Sequence, residues 1–346
     1  MIDKIKSKIE YTLKAYAMTV NLRFPFHEIS PLLDKTIRNF ILRPGKRARS
    51  TLFILGYFSY RHKEPAGLYR SAASLELLHN FLLIHDDIID KAVLRKGQPT
   101  IHTALDDFLK DYPKIKFSGS DLSIIVGDII YSLAMNLFLS IRVKAGYKEK
   151  ALDKFSEIVA YTGAGQFIEI LYGIKGIRGM KLSDILKIYD LKSAQYTFSY
   201  PLVLGAALAG AGDSEINRLF EYGVQAGRAF QIKDDILDMF GKEKNTGKPG
   251  WTDIKEAKKT ILLFYAYQKS SAKDKLYIEK LLKKTAPSQS DCLRIRGIVE
   301  NSGALKSAQE QIELSLRKTK EISRTLDMAP PYRKVLNQYT EKLLSK

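Results

Sequence analysis

The stretch LELLHNFLLIHDDIIDKAVLRKGQPTIH, residues 75–102, decides the fold. Residues 68–96, between Gly67 and Gly97, contain neither glycine nor proline, so one long helix is expected there. Asp86 and Asp90 are four apart on it, with Asp87 beside them. Residues three or four apart on a helix are neighbours, with Cβ atoms roughly 5–6 Å apart, so three carboxylates crowd one end of one face. Around them lie Leu82, Leu83, Ile84, Ile88 and Ile89, which belong in a core. Like charges in an apolar surround repel and resist desolvation, which calls for a cationic partner. Taken alone, such a pentad reads more simply as a solvated acidic face.

The pentad recurs. FQIKDDILD at 230–238 places Asp234, Asp235 and Asp238 at the same spacing, again between apolar residues. Two near-copies shift the balance to a metal–phosphate site. If the two helices face each other, six carboxylates line one cavity, and hard divalent cations suit it. Mg²⁺ takes a few carboxylates, retains waters and is completed by phosphates.

At 346 residues, 45% hydrophobic and 27% charged, the chain has ordinary globular composition and enough length for a large core. A single cysteine, Cys292, excludes an intrachain disulfide framework and suits a reducing cytoplasm. The start MIDKIKSKIEY has no long apolar run, so no signal peptide is expected. Residues 194–212 carry no charge over nearly a membrane-spanning length, but Gln195, Thr197, Ser199 and Pro201 interrupt them, and a buried central helix is expected. The formal charge of +18 admits nucleic acid, anionic membrane or anionic substrates as partners. Basic residues are spread along the chain, and no zinc-finger, RRM or helix-turn-helix pattern occurs, which counts against nucleic acid.

Apolar residues recur at three and four in 2–16, 31–42, 50–60, 122–141, 151–172, 182–209, 216–240, 252–269, 304–325 and 331–344. Alternating β patterns with Asn-Gly or Asp-Gly turns are missing. The fold class is therefore all-α, and with no linker rich in Pro, Gly or Ser a single helical domain over 1–346 is expected, with a central cavity. FGKEKNTGKPGW at 240–251, rich in Lys and Gly, follows the second pentad as a lid over phosphates or a plain surface loop.

In order, the chain shows PGKRAR at 44–49, ELLH at 76–79, HDDIID at 85–90, RKGQPTIH at 95–102, GD at 127–128 and GQFIE at 165–169. KSAQYT at 192–197, FQIKDDILD at 230–238 and GKPGWTDIKEAKKT at 247–260 follow. Their order and spacing resemble the trans-prenyl (isoprenyl) diphosphate synthases of the all-helical isoprenoid synthase fold. That family joins an allylic diphosphate, through its carbocation, to isopentenyl diphosphate, lengthening the chain by five carbons. The resemblance implies Mg²⁺, three ions per site, as Lewis acid on the leaving diphosphate. It makes Asp86, Asp90 and Asp234 the main ligands, with Asp87 and Asp238 supporting through waters. Arg95, Lys192, Lys248 and Lys258 would hold the allylic diphosphate. Lys46, Arg49, His79 and Lys96 match the metal-free homoallylic site. His79 precedes Asp86 by seven residues, two helical turns, and so shares its face on geometry alone. Gln166, Ser193, Tyr196, Phe230 and Gln231 would line the reacting centre.

Five positions depart from the family pattern: Lys96 for Arg, Glu169 for Asp, Ser193 for Thr, and Trp251 and Ala257 for Gly. Phe81, five before Asp86, and Leu82, four before, stand where bulk sets product length. One aromatic at the fifth position resembles the C20 pattern, so geranylgeranyl diphosphate is expected, with farnesyl or longer products as the alternative. Helical geometry supports the stop only weakly, because Phe81 lies about 140° round from Asp86 and Leu82 about 40°. The family also implies a homodimer. A terpene cyclase would show an Asn/Asp-Ser/Thr-Glu second motif and would not need Lys46, Arg49 and His79; a non-catalytic partner subunit would be expected to lose a pentad.

Overall fold

The computed structural model describes residues 1–112, 114, 116–241 and 251–345. Almost all regular structure among them is helical, as the periodicity requires, and it falls into two compact units, Met1–Lys148 and Glu149–Lys346.

The first unit is built on α5 (Leu68–Ile89), the helix of the first pentad. Before it come α1 (Ile2–Thr19), the single turn α2 (Phe26–Ile29), α3 (Pro31–Ile41) and α4 (Ala48–Phe58). After it come α6 (Ile101–Leu109) and α7 (Gly119–Phe138). Helix α4 reads ARSTLFILGYF, and every residue from Ser50 to Tyr57 is buried, so it is a core helix rather than an amphipathic one. Helix α5 packs on α7, α4 and α1, and its Leu75, Leu77 and Leu78 are buried. Each such fully buried leucine contributes roughly 1.5–3 kcal/mol. Among the described helices α7 is the one long and apolar enough to cross a membrane; it lies along α5 and α6 as a core helix, started by a Ser118–Asp121 capping box.

The expected helix over 68–96 stops at Ile89. Lys91 takes a left-handed conformation (φ 53°), its N–H bonds to the Ile88 carbonyl, and the Ala92 N–H bonds to that of Asp87. That is a Schellman stop with lysine at the position usually held by glycine. The chain then forms a two-residue antiparallel ribbon, Leu94–Arg95 against Gln98–Pro99. Lys96 (φ 51°) and Gly97 (φ 74°) make its turn, and two positive φ values are what a two-residue hairpin of this twist demands.

In the second unit α8 (Ala145–Lys175), which begins just before the boundary in sequence, is followed by α9 (Leu182–Tyr189), a π-helical segment Asp190–Ser199 and α10 (Tyr200–Ala209). The run 182–209 is thus helical throughout, with wider turns where Lys192, Ser193 and Tyr196 sit. Every residue of α10 is buried, which is why the uncharged stretch 194–212 is uncharged. Helix α11 (Asp213–Phe240) carries the second pentad. Its Gly223 and Gly227 lie under Ser199 and Ala194, where an added Cβ would come within 2.3 Å of a backbone atom. Backbone contact of α11 with the π segment depends on those two glycines.

The expected helix 252–269 is two: α12 (Thr252–Lys255) and α13 (Ile261–Lys269). Ala257 (φ 54°) divides them with a second Schellman stop, its N–H bonded to the Ile254 carbonyl and that of Lys258 to Asp253. Then come α14 (Ala272–Leu281), α15 (Gln289–Asn301), α16 (Ala304–Thr325) and α17 (Pro330–Ser345). Helices α6, α14 and α15 were not anticipated from periodicity.

Candidate active site

In the first unit Asp86 is partly buried, and Asp87 is 1% exposed. The ribbon brings Arg95 back over the helix end, where its Nε donates to Asp87 Oδ1 at 2.6 Å and its Nη2 to Asp86 Oδ2 at 3.3 Å. Burial pushes the Asp87 carboxyl up, and the Arg95 bond only partly offsets this. Its other oxygen, Oδ2, is buried and accepts no hydrogen bond among the described residues. Asp90 caps the C-terminus of α5.

One face of the same unit gathers cations. His79 is held well below the ordinary imidazole range, first by burial and then by the positive charges of Arg49, Lys96, Arg95 and Arg47. Lys96 is also pulled down, by burial and then by Arg95, Lys46, Arg47 and Arg49. Lys46, Arg49, His79 and Lys96 therefore form one electrostatic neighbourhood, and an anion seated there relieves the repulsion that depresses His79 and Lys96. Helical rise puts His79 about 10 Å along α5 from Asp86.

Two arginines outside the expected set shape this neighbourhood. Arg47, 5% exposed and left-handed (φ 52°), bonds to Glu10 at 2.7 and 3.2 Å, to Glu76 at 3.2 Å and to the Arg43 carbonyl at 2.9 Å. It fixes the entry to α4 between Lys46 and Arg49. Arg43 donates to the Pro99 carbonyl at 2.8 Å and feels both Asp87 and Arg95. The crowding of four basic residues in RPGKRAR was the available signal, but nothing in it separates the buried anchor Arg47 from its neighbours.

Phe81 packs its ring on His85 (centroids 4.7 Å apart) and on Tyr131 of α7 (5.2 Å), so it stands between α5 and α7. Leu82 is partly buried.

In the second unit Asp234 is exposed and has no hydrogen-bond partner among the described residues. Asp235 is 3% exposed. The Tyr189 hydroxyl bonds to Asp235 Oδ2 and accepts the Ile261 N–H at 2.7 Å; Gln231 donates to Asp235 Oδ1 at 2.9 Å, and Ser193 to Gln231 at 2.6 Å. Burial, then the Asp253 charge, pushes the Asp235 carboxyl well up. The carboxylate of Asp238 accepts from the Thr252 and Asp253 N–H groups at 3.2 and 3.1 Å, capping α12. Lys192 pairs with Glu169 at 2.6 Å, both 19% exposed, so the Glu that departs from the family pattern meets a lysine. Gln166, one turn before Glu169 on α8, is partly buried, and Tyr196 is 7% exposed. Lys258 pairs with Glu256. Lys248 and most of the loop 240–251 lie outside the described residues.

The pentads offer oxygen donors alone, the chemistry that Mg²⁺ selects. Among the described residues no three carboxylate, imidazole or thiolate groups converge on one point. An ion here would take one or two carboxylates and fill its octahedron with water and phosphate, which is the ordinary habit of Mg²⁺.

Solved structures place this arrangement in a class. A geranylgeranyl pyrophosphate synthase from Corynebacterium glutamicum, solved with isoprenyl diphosphate and magnesium, superposes with a TM-score of 0.86 at 26% identity, covering 99% of this chain and 98% of that one. The protein has the isoprenyl synthase fold.

The Polyprenyl synthetase family model matches residues 30–299, and the chain belongs to that family. Geranylfarnesyl diphosphate synthase of Aeropyrum pernix is 33% identical over 255 residues, 72% of this chain and 74% of the relative. Geranylgeranyl diphosphate synthase of Saccharolobus solfataricus is 28% identical over 339 residues, covering 92% and 97%. The protein is thus a trans-prenyl diphosphate synthase, of a family that uses Mg²⁺.

Proposed function

We propose that this enzyme condenses an allylic diphosphate with isopentenyl diphosphate, with geranylgeranyl diphosphate (C20) as its main product. The observation that carries the reading is the cationic neighbourhood of Lys46, Arg49, His79 and Lys96, on the same unit as the first pentad. A cyclase handles one diphosphate; a head-to-tail condensation needs a second, metal-free seat for another. These four residues supply that seat.

Asp86, Asp90 and Asp234 would hold Mg²⁺, with Asp87 and Asp238 in support, and three ions complete the site. When bound, the metal supplies Lewis-acid charge to the leaving diphosphate. Arg95, Lys192, Lys248 and Lys258 hold that diphosphate by charge-assisted bonds. Gln166, Ser193, Tyr196 and Gln231 turn amide and hydroxyl dipoles to the reacting carbons and exclude water. The released diphosphate takes the proton lost on forming the new double bond. Chain growth ends at Phe81, whose ring stands between α5 and α7 in contact with Tyr131, with Leu82 beside it.

The relatives are named for C20 and C25 products, so length needs its own test. Farnesyl and isopentenyl diphosphates incubated with Mg²⁺ should give C20, sized by chromatography, and Phe81→Ala should lengthen it. Wild-type products of C30 or more would overturn the assignment, and turnover in EDTA would overturn the metal role. Asp86→Ala or Asp234→Ala should abolish condensation with helicity retained.

The enzyme acts in the cytoplasm as a homodimer. Support comes from an exposed apolar stripe on α8, where Phe167, Ile170 and Ile174 are 64%, 43% and 79% exposed. A monomer mass by light scattering would exclude the dimer.

A further inference from the structure

In the second unit α11, α16 and α17 leave a groove of 430 Å³ between them, within the size range of small-molecule sites. Its floor is polar. The Tyr222 hydroxyl is buried against Thr340 at 2.9 Å and Asn337 Oδ1 at 3.3 Å, and Ser323 donates to the same Asn337 oxygen at 2.9 Å. With two donors on its oxygen, the Asn337 amide keeps both N–H groups to offer. The walls add Lys320, Arg324 and Arg333. Lys320 meets Glu341 at 3.5 Å, a pair more than half exposed and therefore well screened. Arg333 donates to the Leu326 carbonyl at 3.3 Å, and among the described residues neither Arg324 nor Arg333 has a carboxylate within 4.0 Å.

The groove therefore presents donors almost alone, with two guanidinium groups that no carboxylate among the described residues neutralises. We propose that it binds a small ligand through a phosphate or diphosphate group, at a site separate from the second pentad. A planar carboxylate satisfies one guanidinium fork, whereas a tetrahedral phosphoryl group has oxygens for two. Tyr222 precedes Asp234 by twelve residues, about 18 Å along α11, so a small ligand here does not reach the second pentad. The site does not depend on the activity proposed above.

Inorganic diphosphate in EDTA, followed by hydrogen exchange, tests this. Saturable protection of peptides covering 316–341 is expected. It should be lost in Arg324→Gln/Arg333→Gln and kept in Lys46→Gln/Arg49→Gln, which separates this groove from the cationic seat in the first unit. If the glutamine variant melts early, Arg324→Lys/Arg333→Lys, with charge but no forks, should bind roughly tenfold more weakly at wild-type melting temperature. Absence of protection over 316–341 in the wild type, or protection undiminished in both arginine variants, would overturn the proposal.

Discussion

Arg47→Met gives a sharp test of how the first unit is held together. Arg47 joins Glu10, 39% exposed at its side chain, to Glu76, which is 6% exposed. After the substitution Glu10 can turn to water, but Glu76 cannot. Its Oε1 keeps the Ser50 hydroxyl at 2.8 Å and the longer Ser50 N–H contact at 3.4 Å, while its charge is left in the core. Breaking a buried pair in this way costs about 3–5 kcal/mol. The left-handed backbone at position 47 does not alter the comparison, because methionine meets the same hindrance there as arginine. Adding Glu76→Gln removes the stranded charge and leaves an acceptor for Ser50, so the double variant should recover about 2–3 kcal/mol of the loss. Equilibrium denaturation of both proteins measures the difference. The single variant should also raise the Michaelis constant for isopentenyl diphosphate, because Lys46 and Arg49 flank the lost anchor. A single variant within about 1 kcal/mol of wild type, or a double variant no more stable than the single, would refute the reasoning.

His79, depressed in the folded protein by burial and by neighbouring positive charge, makes the unfolded chain the better proton acceptor below about pH 6.5. Its contribution is present above that pH and is lost as pH falls towards the folded value, at up to about 1.4 kcal/mol per pH unit; melts at pH 7.5 and 5.5 should show a smaller acid loss in His79→Asn than in wild type. Tyr189→Phe removes one of the two partners of Asp235 and the acceptor of the Ile261 N–H, and should cost about 2–4 kcal/mol and raise the Mg²⁺ concentration needed for half activity; unchanged melting would count against the clamp. Ala257→Gly should stabilise by about 0.5–1 kcal/mol, since relief of the left-handed alanine exceeds the added unfolded-state entropy; a lower denaturation midpoint would contradict it.

The helical class and the carboxylate clusters were legible because both depend on periodicity, which survives without tertiary context. The stops were not. Lys91 and Ala257 end helices in the conformation that glycine normally signals, and Lys96 and Trp251 (φ 70°) adopt it elsewhere. At the two helix ends the Schellman bonds to Ile88, Asp87, Ile254 and Asp253 hold the backbone in place, and nothing in a side-chain pattern announces those bonds. The family pattern hinted at them: Trp251 and Ala257 stand where glycine is expected, and both keep the glycine-like backbone. The chain changed the residue and retained the turn. The π segment was hidden for a related reason, since its wider turns leave the apolar spacing of 182–209 close to that of an α-helix.

The pentads show how far spacing alone can be trusted. DDIID and DDILD predict two equal triplets of carboxylates, but burial separates them in the same way twice. Asp87 and Asp235, the second of each set, are buried at 1% and 3% exposure, while Asp86 is partly buried and Asp234 exposed. A buried carboxylate must be satisfied from within the protein, and the two units do so differently, with a guanidinium from the ribbon at Arg95 and with a phenol and an amide at Tyr189 and Gln231. Asp87 is thereby tied to a cation that is itself expected to hold substrate diphosphate, whereas Asp235 is tied to the neutral start of α13. Removing the Asp87 carboxylate would release Arg95; removing the Asp235 carboxylate would untie Tyr189 and Gln231. Identical spacing on two helices has produced one arrangement of carboxylates with two different supports, and the support, supplied by the facing element, decides what each carboxylate can do.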